Sequence, residues 1–122
     1  MTPNTLIWAI LKPKLRRQFG LKEIYRVEFT ADKIADTLDL TCIGLVEGME
    51  GVKKVDSKTL KLSENEDHVN LFIEQTKEEI KDIHVLNAAF LTVDFKNKKC
   101  STHVFYLNEA GEKKDGKAIL KF

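Results

Sequence analysis

The sequence predicts an α+β domain: a short N-terminal helix, an antiparallel sheet of about five to six strands, one central amphipathic helix at about 64–82, and a C-terminal β-meander. Three observations carry this. An apolar run, "LIWAIL", follows shortly after Thr2 and Pro3. "SENE" stands immediately before a segment whose apolar residues recur at helical spacing. The last third alternates apolar and polar residues in short runs separated by turn-forming ones.

Taken in order, Thr2 reads as an N-cap and Pro3 as the first helical position, with Leu6, Ile7, Ile10 and Leu11 as an apolar stripe and Trp8 beside it. A helix over about 3–11 follows. Pro13 lacks a donor and disfavours α conformation at Lys12, so the helix is expected to stop or kink there, with Leu15 and Phe19 on a second short turn ending at Gly20. In "KEIYRVEFT", Tyr25, Val27 and Phe29 alternate with Arg26 and Glu28, as a half-buried strand requires. Residues 31–51 admit two patterns. As a helix, Ile34, Leu38, Cys42, Leu45 and Met49 share a face; as a strand, Leu38, Leu40 and Cys42 alternate with Asp39 and Thr41. The β-branched content favours a short helix or turn followed by a strand at about 38–47.

"EGMEG" is a turn, and "VKKVDSKTLKLS" a strand with a potential hairpin break at Asp56 and Ser57. Ser63 and Glu66 form a capping box for a helix with Val69, Phe72, Ile73, Thr76, Ile80 and Ile83 inward and Glu74, Lys77, Glu78 and Lys81 outward. "AFLTVDFK" sets Leu91, Val93 and Phe95 against Thr92, Asp94 and Lys96; "NKK" turns the chain and "CSTHVFYL" returns. A polar loop, "NEAGEKKDGK", leads to a final strand, "AILKF", expected to tuck Phe122 into the sheet. Helix, strands, helix, strands is a loosely doubled layout without a sequence repeat.

A chain of 122 residues is expected to form one domain over 1–122, with 1–20 as a basic amphipathic arm. Its 43% hydrophobic and 32% charged content excludes a disordered class. Cys42 and Cys100 lack metal-type spacing, so free thiols in a reducing, cytoplasmic setting are expected rather than a disulfide framework. The net charge of +1 conceals an asymmetry: residues 1–22 hold five Lys or Arg and no acid, leaving 15 bases against 19 acids in the remainder. The arm would therefore lie on its own acidic body or meet an acidic partner. Its six-residue apolar run is far shorter than the roughly twenty residues of a membrane span. A secretory signal would place its charges before that run, and a mitochondrial-type presequence would be richer in serine.

Signatures of chemistry are sparse. Gly44, Gly48 and Gly51 match neither the dinucleotide fingerprint nor the phosphate-binding loop. His68, His84 and His103 lack metal-ligand spacing, so no metal or other cofactor is expected. The nearest approach to a catalytic set is Asp94, Cys100 and His103 on neighbouring strands, read as a polar cross-strand pair with Cys100 near the turn. No catalytic residue is expected.

The sequence points instead to a non-catalytic protein-binding or assembly module, a subunit, adaptor or inhibitor-like protein meeting a protein partner or its own copy. Subunits of phage or secretion particles share this description. Trp8, Lys14, Arg16 and Arg17 are the expected contact residues. The alternative is single-stranded nucleic-acid binding through the basic arm and the hairpin, with Lys96, Lys98, Lys99 and Phe105 as its residues, because lysines beside exposed aromatics neutralise phosphates and stack bases. A pI near 7.7 is low for such domains.

Overall fold

The structure, a computed structural model, describes the backbone of residues 3–121 and their side chains apart from those of residues 3–7, 67, 68 and 71. Alternating burial and helical stripes resolve into α1 (Pro3–Phe19), β1 (Leu21–Asp32), β2 (Thr37–Val46), β3 (Lys53–Lys61), a single 3-10 turn (Leu62–Glu64), α2 (Glu66–Glu79), β4 (Val85–Asp94), β5 (Lys99–Leu107) and β6 (Lys113–Leu120). The six strands form one antiparallel sheet in the order β3-β2-β1-β4-β5-β6.

Inward positions of the strands, among them Val27, Phe29, Leu38, Leu40, Leu91, Val93 and Val104, build the core against both helices. Trp8 of α1 lies at the junction, its ring 5.8 Å from Phe29, 5.2 Å from Phe72 of α2 and 5.3 Å from Phe95. Burying one face of an antiparallel sheet and leaving the other to solvent is what period-2 alternation encodes. Both helices therefore lie on one side.

The doubled layout is closer than the sequence shows. Phe29 pairs with Leu91, 62 positions later, at the centre of the β1–β4 contact. Phe29 also pairs with Leu40, and Leu91 pairs with Thr102, again 62 later. Irregularities in the ladder at Ile24/Arg26 and at Leu86/Ala88 keep the same offset. So do the hairpin turns: Asp32 Oδ1 accepts the N–H of Ile34 and Ala35, Asp94 Oδ1 accepts that of Asn97, and the turns close on Asp36 (φ 54°) and Lys98 (φ 51°). Only the outermost strand differs, with Lys58 opposite Leu40 but Ala118 opposite Thr102, an offset of 60. The chain is thus two α-β-β-β units joined antiparallel through β1 and β4.

Several elements differ from expectation. α1 runs through Pro13 to Phe19 as one helix. Its buried stripe is Trp8, Leu11, Leu15 and Phe19, whereas Ile10 is 60% exposed. Burying four large side chains outweighs the hydrogen bond lost at Pro13. Gly20 (φ 66°) ends the helix in the left-handed region, and Lys58 Nζ donates to the Gln18 carbonyl at 3.0 Å. Thr2, Leu6 and Ile7, part of the expected cap and stripe, lie outside the described residues or side chains, as do His68 and Phe122.

The irregularity beside Tyr25 hands its inward place to Ile24, which is 1% exposed. Residues 33–36 form a turn before β2, as the strand pattern required. β3 crosses Asp56 and Ser57 unbroken because it pairs along its whole length with β2, where the Thr41 and Ser57 hydroxyl oxygens meet at 2.8 Å. The capping box does not form. Ser63 instead donates its N–H and hydroxyl to Asp36 at 2.8 and 2.9 Å, so α2 starts two residues later with Asn65 at its N-cap and ends at Glu79 rather than near 82. The last strand begins at Lys113, inside the expected loop. Cys42 and Cys100 are free and buried. Among the described residues, no helix is long and apolar enough to cross a membrane.

Candidate binding surface

On β1–β3 the helix-free face of the sheet is mostly polar, with Ile43 and the exposed Val55 paired across the ladder as an apolar exception, and on β4–β6 it carries a larger apolar cluster. There the ladder sets Phe90 opposite His103 and Lys117, Ala88 opposite Phe105 and Asp115, and Thr92 opposite Ser101 and Ile119. Phe90 and Phe105 meet edge to face at 5.7 Å, and the His103 ring lies 4.6 Å from Phe105. His103 Nε2 is 2.9 Å from Asp115 Oδ2, which fixes the imidazole beside the two phenyl rings. Phe90, Phe105 and Ile119 remain 41%, 38% and 80% exposed, and a shallow depression of about 480 Å³ lies between Phe90, His103 and Ile119.

The first unit is an internal control for this cluster. By strand pairing, the counterparts of Phe90, His103, Phe105 and Ile119 are Glu28, Thr41, Ile43 and Thr59. Three of those four are polar, and the strands form there equally well. Folding does not require aromatic side chains at these positions, so the cluster calls for another reason. Both edges of the sheet are defended differently: β3 carries Lys53, Lys54, Lys58 and Lys61, and β6 carries Lys113, Lys114 and Lys117. Lysines along an edge oppose strand-to-strand addition.

The residues expected to contact a partner are dispersed. Trp8 is 2% exposed and belongs to the core, where its Nε1 is buried without an acceptor among the described residues. It offers nothing to a partner in this conformation. Lys14 is exposed on the rim of a crevice beneath α1, and Arg16 and Arg17 flank a separate depression with Lys22 and Glu47.

The residues expected for nucleic acid divide in two. Phe105 belongs to the aromatic cluster, six positions along β5 from Lys99 and so roughly 20 Å away. Lys98 closes the turn, and Lys99 faces Asp94 across the ladder. Lys96 joins Lys12, Arg26 and Lys53 around an open cleft of about 570 Å³ that also includes Tyr25 and Phe95. Lys12 Nζ stands 4.5 Å from the centre of the Phe95 ring. Glu23 and Asp94 temper this charge.

Asp94, Cys100 and His103 are not assembled into one site. Asp94 is held by Asn97, whose Nδ2 donates to it at 2.7 Å, and this bonding lowers the Asp94 pKa. Cys100 points into the core, and His103 engages Asp115. Parity would have found the aromatic cluster in the sequence: Phe90 shares a face with Thr92 and Asp94 in "AFLTVDFK", and Phe105 shares one with Ser101 and His103. Compared with protein-family models, curated proteins and solved structures, the chain matches none.

Proposed function

We propose that this chain is a non-catalytic assembly module that pairs with a second copy of itself through the helix-free face of β4–β6. The observation that carries this is the exposed cluster of Phe90, His103, Phe105 and Ile119 at positions that are mostly polar in the first unit. A second copy suits the surface because its charges are of both signs and interspersed: Lys99, Lys113 and Lys117 stand among Asp94 and Asp115. A patch with charges of both signs can meet a copy of itself about a two-fold axis, lysines of one copy facing acids of the other. Two buried free thiols fit a reducing, cytoplasmic setting for the assembly.

Light scattering across a wide concentration range tests the reading. The expected result is a species of twice the 14.0 kDa chain mass that dissociates on dilution, while the Phe90→Ser/Phe105→Ser variant stays monomeric with an unchanged circular dichroism spectrum. A wild-type chain that remains monomeric at its highest attainable concentration would overturn it.

The basic cleft supports a second reading, single-stranded nucleic acid held by Lys12, Arg26, Lys53 and Lys96 beside Tyr25 and Phe95. Lys53→Glu and Lys96→Glu should then each weaken binding to a fluorescent oligonucleotide and flatten its dependence on salt. Unaltered affinity and salt slope in both variants would remove this reading.

A further inference from the structure

A different region, on the helix side of the first unit, holds a crevice of about 190 Å³ between α1 and β1–β3. Its walls are Leu11 and Leu15 from the helix and Phe29, Leu38, Leu40 and Leu60 from the strands. Protein interiors rarely leave a void larger than one water molecule, and a space walled by leucine and phenylalanine gives water no partners. Among the described residues that line it, the polar ones are Lys14, Gln18 and Asn65.

In the second unit the helix packs directly on its strands. Matched by buried stripe, Trp8, Leu11 and Leu15 of α1 correspond, 61 positions later, to Val69, Phe72 and Thr76 of α2. Thr76 turns inward: its Oγ1 donates to the Phe72 carbonyl at 2.8 Å and lies 3.2 Å from Thr102 Oγ1. Ile80, just past the end of α2, lies so close over Gly116 that a Cβ there would stand 2.9 Å from the Ile80 δ-carbon. In the first unit the space beside the helix stays open, with Lys14 and Gln18 exposed along it.

We propose that this crevice binds a small amphiphile with an anionic head, a straight-chain carboxylate of about six to eight carbons, scaled from the roughly 150 Å³ apolar cavity that accepts benzene. The alkyl chain lies among the leucines and the carboxylate meets Lys14. Among the described residues, Lys14 is the one charged residue lining the space, and no acid lines it. The neighbouring cation, Lys58, is already engaged by the Gln18 carbonyl at 3.0 Å. An anion is thus matched at the mouth and a cation opposed.

The test titrates the full chain with octanoate, octylammonium and octanol, following heat of binding and thermal midpoint. Octanoate should bind one-to-one and raise the midpoint, octylammonium should bind about tenfold more weakly, and the exposed substitution Lys14→Glu should reverse that preference. Leu60→Phe, which fills the crevice from the edge strand, should abolish octanoate binding in a folded chain. Should that variant fail to fold, the reversal in Lys14→Glu still decides. Phe90→Ser/Phe105→Ser should bind octanoate like wild type, which separates this site from the sheet face. Absence of saturable binding, equal affinity for octanoate and octylammonium, or loss of binding in the sheet-face variant would each overturn the proposal.

Discussion

Cys42 and Cys100 have no exposure, and burial pushes each thiol from an ordinary value near 9 up to about 12, with Asp56 adding to the effect at Cys42. A thiol whose pKa is higher in the folded chain stabilises the fold fully below the unfolded value. That contribution declines as pH rises from about 9 towards 12, by up to about 1.4 kcal/mol per pH unit for each thiol. Urea midpoints should therefore fall more steeply with pH above 9 in wild type than in Cys42→Ala/Cys100→Ala, where this part of the slope is removed. Parallel profiles would show that the thiolates are tolerated inside. Cys100 was placed only near a turn, whereas Cys42 was legible as an inward residue because it continues the alternation of Leu38 and Leu40 with Asp39 and Thr41. Trp8 was not. Its place beside a basic run suggested an exposed anchor, and only the meeting of Phe29, Phe72 and Phe95, from three separate segments, makes it the centre of the core.

Elements followed the sequence where one local rule acted alone and departed from it where a tertiary contact competed. The β4–β5 hairpin was readable because alternation, an Asx turn at Asp94 and the short "NKK" turn all agree. At α1, local rules ended the helix at Pro13, but Leu15 and Phe19 are buried only if it continues. Ser63 shows the same competition in reverse. Its side chain had a local use as a cap, and Asp36, 27 residues away in the β1–β2 turn, holds it instead. The outcome ties the start of the second unit to the first. The exposed face was only partly legible. Phe105 was identified as a possible stacking residue, but grouping it with Phe90 required the pairing of β4 with β5, and connecting Lys96 to Lys12 required the fold of the whole sheet.

At the scale of the molecule, the doubled architecture raises the question of whether the halves are separate folding units. The core argues that they are not. The inner residues of β1 and β4, among them Val27, Phe29, Leu91 and Val93, face one interior, and Trp8 of the first unit rests on Phe72 and Phe95 of the second. Neither half can bury its central strand without the other. Unfolding in urea should accordingly be a single transition in which Trp8 fluorescence and far-ultraviolet circular dichroism coincide. Hydrogen exchange should find one slowest class spanning β1, β2, β4 and β5, with the lysine-lined edges β3 and β6 opening first. Trp8→Ala, at a cost of about 3–5 kcal/mol, should lower the stability of both halves together although it alters only one. Two resolved transitions, or a second unit that keeps its protection in Trp8→Ala, would mean that the units fold independently. The antiparallel β1–β4 contact would then be a docking of two finished domains rather than the middle of one sheet.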